Sequence, residues 1–172
     1  MSGSEVSRIE RALVQGVGLV TLGELCAVVG LDLSARAYPG GSPLRDARHA
    51  RLLAKLQALL HATLRWATEV PLPNPGDQRA WDAMIRGDGW RYGVECELNP
   101  IDGQALTRRL NLKQREGLVD GVFLLMPDTR QTRLFRREFA DDLRAQFQVP
   151  ARMALDRLSH GLYPTGSALL IL

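Results

Sequence analysis

An α/β domain preceded by a small helical segment is the fold class this sequence predicts, and three observations predict it. A leucine stripe of helical period is followed by three short runs that read as strands, separated by turn residues. A second helical pattern then leads into Leu118–Met126, an almost unbroken apolar run of the kind that forms a strand buried on both faces. Pro39-Gly40-Gly41-Ser42-Pro43 is the clearest linker, so the expected boundaries are 1–38 for the helical segment and 44–172 for the α/β domain.

In order along the chain, residues 4–15 predict a helix with Ser4 as N-cap and Val6, Ile9 and Leu13 on one face. Gly16 and Gly18 stop it. Thr21 caps a second predicted helix, Leu22 to Val29, which Gly30 ends. Leu31 to Tyr38 alternates and reads as a strand. From Leu44 to His61, Leu52, Leu53, Leu56, Leu59 and Leu60 form an amphipathic stripe, with Arg45, Arg48, Arg51 and Lys55 along the other side. Such a basic stripe describes a solvated helix face as well as it describes a phosphate contact.

The runs Leu64–Leu72, Ala80–Arg86 and Trp90–Leu98 predict three antiparallel strands in a meander. A helix from Asp102 or Gly103 to Glu116 follows, and Gly117 ends it before the buried strand. A charged helix over 130–147, a last helix Ala151–Ser159 and a short buried strand at 168–172 complete the chain. The order is helix, three-strand meander, helix, strand.

Hydrophobic residues make up 45% and charged residues 24%, an ordinary globular composition that excludes disorder as the default. Basic residues exceed acidic ones by 22 to 19, a net +3 compatible with an anionic partner such as a nucleic-acid backbone. Cys26 and Cys96 show no CxxC spacing and the three histidines are scattered, which argues against a disulfide framework or a structural zinc site. No apolar run is long enough for a membrane span and the first residues lack the layout of a signal peptide, so a cytoplasmic location is expected. No P-loop, strand-associated GxGxxG, GxSxG elbow or HExxH is present.

The chemistry concentrates in the acids of the meander. In Trp90–Leu98, Trp90, Tyr92, Val94, Cys96 and Leu98 fall on one face, and Arg91, Gly93, Glu95 and Glu97 on the other. Glu95 and Glu97 thus point the same way, their Cα atoms about 7 Å apart. Asp82 stands among Ala80, Trp81, Ala83, Met84 and Ile85, an odd setting for an acid without a task. Crowded carboxylates require a cation among them or a raised pKa. The same alternation also describes acids on the wet face of a half-exposed sheet. Gln104, Arg108, Asn111 and Arg115 recur at helical spacing on the next helix, with Lys113 nearby, as donors for a phosphate or as a solvated face.

The stretch S-R-I-E-R followed by T-L-x-E-L-x-A-V-x-G-L-D-L resembles the Cro and phage-repressor type helix-turn-helix, the XRE family of bacterial regulators, over about 30 residues. That resemblance implies a partial DNA-binding module, with Ser4, Ser7 and Arg8 near DNA. Two helices that precede this motif in the family have no counterpart here, which suggests a start upstream of Met1 or a degraded regulator. From Leu44 onward, R-A-Y-P-G-G-x-P-L-R-D at the junction and T-E-V-P-L-P, A-W-D-A-M-I and G-V-E-C-E-L resemble the carboxy-terminal domain of such regulators. The element order is similar to the restriction-endonuclease-like core of the PD-(D/E)XK superfamily. The resemblance implies a Mg²⁺-dependent nuclease site, with Asp82 and Glu95 as metal ligands and Glu69 as a further acid. Glu97 stands where that triplet has its lysine, and Lys113 is the helix residue that the resemblance offers as a substitute. DNA or another nucleic acid is the implied partner. A catalytically inactive regulator or antitoxin-like binder, and a homodimerisation module without metal, are the other readings.

Overall fold

The chain divides into two compact units, Met1–Gly40 and Gly41–Leu172. The computed structural model describes residues 3–11, 13, 14, 16–33 and 43–172. In the first unit, α1 (Gly3–Glu10) and α2 (Leu19–Val28) contain no buried residue. Both helices start before their expected caps. Ser4 and Thr21 lie inside them, and Gly18, which has no side-chain acceptor, is the N-cap of α2. Leu13 falls beyond the end of α1 and is exposed. Gly30 follows the C-cap of α2 at φ +73, the left-handed position that glycine takes without strain. Leu31–Leu33 form no strand, and both leucines are exposed. The remainder of that expected strand, 34–38, and the linker residues 39–42 lie outside the described residues, as does the side chain of Arg45.

The second unit runs α3 (Pro43–Gln57), β1 (Arg65–Pro71), β2 (Ala80–Gly87), β3 (Trp90–Cys96), α4 (Gly103–Glu116), β4 (Gly121–Met126), α5 (Arg130–Glu138), α6 (Ala140–Gln146), α7 (Ala151–Ser159) and β5 (Ala168–Ile171). One five-stranded sheet has the order β1-β2-β3-β4-β5. The first three strands are antiparallel, and β3, β4 and β5 are parallel. The expected single helix over 130–147 is two helices. Phe139, at φ −105 and ψ 29, breaks it, sets its ring tilted against that of Phe135 and packs over Gly103. That break lets α6 lie against α4.

Helices cover both sheet faces. Leu52 and Leu56 of α3 and Ala154 and Leu158 of α7 join Ala83, Ile85, Tyr92, Val94, Phe123 and Leu125 in one core. Leu106 and Leu110 of α4, Phe135 of α5 and Leu143 of α6 join Trp81, Met84, Val122, Leu124 and Met126 in the other. All six residues of β4 are therefore buried, as its apolar run requires.

Strict alternation breaks at one place. Period two puts Trp81, Ala83 and Ile85 on one face, yet Trp81 belongs to the α4 core and the other two to the α3 core. The residue between is Asp82. Across the β1 pairing, Thr68 faces Ala83 and Val70 faces Trp81, and the intervening Glu69 has φ +51. Glu69 and Asp82 are the one residue on each strand between those pairs, so the face changes without an inserted residue, opposite a left-handed one. The turned Trp81 ring lies on Gly93, where a Cβ would come within 2.5 Å of it. Gly93→Ala is expected to lower unfolding free energy in urea melts by about 1–3 kcal/mol, the scale of overpacking. An unchanged midpoint would mean that Trp81 moves aside at no cost.

Candidate active site

Backbone pairing of β2 with β3 runs from Gly87–Trp90 to Ala83–Val94. Beyond it the Cys96 amide donates to Asp82 Oδ2 at 2.7 Å, so a carboxylate takes over as the strands part. From α3, His49 Nε2 lies 3.2 Å from the same oxygen. This is a charge contact of two partly buried side chains, not an aligned hydrogen bond. The Asp82 carboxylate, and after it the Cys96 thiol, raise the His49 pKa to about 10 against the opposing effect of burial. His49 is an imidazolium at neutral pH. Burial, ahead of the other influences, pushes the Cys96 thiol up.

Next to Asp82 across the fork, Glu95 is buried on the α4 side, and Lys113 of α4 answers it. Lys113 Nζ donates to Glu95 Oε2 at 2.6 Å, to Glu95 Oε1 at 2.9 Å and to the Ala80 carbonyl at 2.7 Å. Three protons meet three acceptors, the condition for burying an ammonium. The Trp81 ring centroid is 5.1 Å from Nζ, within cation–π range. Burial first, then the Asp82 charge, raises the Glu95 carboxyl to about 7, and Lys113 and Arg109 oppose them.

Glu97 points the same way as Glu95, as the alternation predicts, and pairs with Arg109 of α4 at 3.1 Å. Glu69 flanks Asp82 on β1 but is exposed. Arg109 and Lys113 are the α4 residues that contact the carboxylates, whereas Gln104 and Arg108 lie on the exposed side of the helix. Ser7 and Arg8 belong to α1 in the first unit, with Arg8 exposed. Sequence reasoning missed His49 and Arg109. The i, i+4 relation of Arg109 to Lys113 was the available signal for the second, and nothing local marks the first.

Among the described residues no group of three or more His, Cys, Asp or Glu is arranged to hold a metal ion. The available donors are two carboxylates on adjacent strands. They do not make an all-protein cage. Both oxygens of Glu95 accept from Lys113 and Oδ2 of Asp82 accepts from the Cys96 amide, so a hard divalent cation such as Mg²⁺ held here would have to draw most of its ligands from waters and phosphate oxygens. No protein-family model matches the chain, and no curated protein or solved structure matches it either.

Breaking the buried pair should be costly. Lys113→Met leaves Glu95 buried without a partner and is expected to destabilise by about 3–5 kcal/mol in urea melts, while Glu95→Leu combined with Lys113→Met recovers most of the loss. The His49 contact predicts the pH dependence. Its folded pKa is raised above the unfolded value of 6.5 to about 10. The stabilisation is therefore complete below the unfolded pKa and lost as pH rises through the folded one. The stability difference between the parent and His49→Asn is expected to be largest near pH 6 and to vanish above about pH 10.

Proposed function

We propose that the second unit is a metal-dependent phosphodiester hydrolase acting on nucleic acid, with a restriction-endonuclease-like core and Asp82 and Glu95 as the metal ligands. The observation that carries this reading is the lysine. Glu97 occupies the position where the PD-(D/E)XK triplet has its lysine, and α4 supplies Lys113 to Glu95 at 2.6 Å instead. The order helix, three antiparallel strands, helix, parallel strand supports the same reading.

Each residue then has a physical task. Asp82 and Glu95 offer hard oxygen donors from neighbouring strands, where the ladder gives way to side chains. Lys113 is a positioning residue that fixes both Glu95 oxygens and keeps a positive charge beside them. His49 places a positive charge beside Asp82 Oδ2 from the other face. When bound, the divalent ion supplies Lewis acidity and offsets the negative charge that develops on a phosphate under attack. Because burial holds the Glu95 carboxyl above the usual carboxylate range and a metal binds the ionised form, metal affinity should strengthen as pH rises.

A second reading keeps the fold and removes the reaction, leaving a regulator or antitoxin-like protein that binds a partner through an inactive nuclease core. The Glu97–Arg109 pair favours it, since the triplet's third side chain is tied up in an ion pair. Calorimetric titration of Mg²⁺ and Mn²⁺ separates the two readings. Asp82→Asn and Glu95→Gln are expected to abolish metal binding and to lower metal-dependent DNA cleavage about a hundredfold or more, the scale of losing one preorganised electrostatic contact. A parent chain that binds neither ion sinks the hydrolase and leaves the binder.

A further inference from the structure

The basic stripe of α3 is not spent on the fold. Arg48, Arg51 and Lys55 recur at helical spacing on that helix, and with Arg130 at the start of α5 they line a groove of about 510 Å³. Its floor is apolar, with Leu52, Leu98 and Leu172 among the residues that form it. Among the described residues no aspartate or glutamate side chain lines the groove.

Arg79, Arg109, Lys113, Arg115, Arg133 and Arg144 each have a carboxylate within ion-pair distance. Among the described residues, Arg48, Arg51, Lys55 and Arg130 have none, and all four are exposed. They share that lack with other exposed arginines such as Arg65, Arg137 and Arg152, but these four line one concavity. Like charges gathered round a concavity repel until an anion enters it. From Arg48 to Lys55 the row extends about 10 Å along the helix, which suits an extended polyanion better than a single phosphate.

Position ties the groove to the acids. His49, which contacts Asp82, is the residue next to Arg48 on α3. Leu98 and Asn99 follow directly on Glu95 and Glu97 along the chain out of β3. We infer that this groove is the track for the sugar-phosphate backbone of a nucleic acid strand leading to the Asp82–Glu95 site. It rests on the hydrolase reading for what the strand is led to, and on the groove itself for where the strand binds. The track lies between α3 and α5, not on the Gln104 and Arg108 face of α4.

The test is fluorescence anisotropy of the full chain with a labelled DNA duplex and with its single strand, in EDTA so that no cleavage occurs. Log affinity is read against log salt, since each released counterion contributes to that slope. Arg48→Gln, Arg51→Gln, Lys55→Gln and Arg130→Gln are each expected to make the slope shallower by about 1, equally for unrelated sequences. The fourfold variant should lose most of the slope, and Arg144→Gln, at an exposed cation paired with Asp141, should leave it unchanged. A fourfold variant with the parent slope overturns the track while leaving the hydrolase reading intact. Groove-dependent binding to phosphatidylserine vesicles without binding to nucleic acid overturns it as well. Groove-dependent DNA binding by a chain that cleaves nothing with Mg²⁺ upholds the track and overturns the hydrolase.

Discussion

A carboxylate buried in a protein must be answered by a cation or give up its charge, and the answer to Glu95 organises the second unit. Lys113 reaches from α4 to Glu95 on β3 and to the Ala80 carbonyl at the start of β2. One ammonium thereby fastens a helix to two strands. Trp81 closes over that ammonium, and the ring can come so near only because β3 carries Gly93 beneath it. The α4 core around Leu106, Leu110 and Leu124 is thus assembled against a charged pair as well as against apolar surface. Replacing a buried pair by apolar residues is often neutral for stability, so stability alone does not explain why the pair is there.

Asp82 is the pivot of the site because it stands where regular pairing stops. In a continuous ladder the Cys96 amide would be bound by backbone, and here a side-chain carboxylate accepts it. The change of face between Trp81 and Ala83, opposite the left-handed Glu69, sets Asp82 at the fork. One negative charge then has two consequences. It raises the pKa of His49 by favouring the imidazolium, and it raises that of Glu95 by disfavouring a second carboxylate. A cationic neighbour, a reluctant acid and a lysine thus surround one aspartate.

Surplus charge follows the same logic on a larger scale. Most cations that face carboxylates are spent in pairs, among them Arg109 on Glu97 and Arg79 on Asp77. Those of the α3 groove are unspent. On the function proposed above, the groove of unpaired cations would hold a backbone and the paired acids would handle a phosphate.

Much of this was legible from local pattern. Alternation in Trp90–Leu98 sorted Glu95 and Glu97 from Trp90, Tyr92, Val94, Cys96 and Leu98, and the structure keeps that division, because a strand has only two faces. The apolar run at Leu118–Met126 announced a strand covered twice, although the strand begins at Gly121 and leaves Leu118 exposed, and the order helix, meander, helix, strand followed from period and punctuation. Ser4, Thr21 and the unbroken 130–147 helix misled, since helix ends and kinks are settled by packing such as that of Phe139 on Gly103. Composition and periodicity by themselves determined the element types, the buried strand and the candidate acids, because these depend on neighbours within a few residues. Only tertiary structure decided that Lys113 belongs to Glu95, that His49 belongs to Asp82 and that Asp82 leaves the alternation. Those pairings join residues 18 and 33 positions apart, and the distances between them are set by how helices cross a sheet rather than by any local sequence.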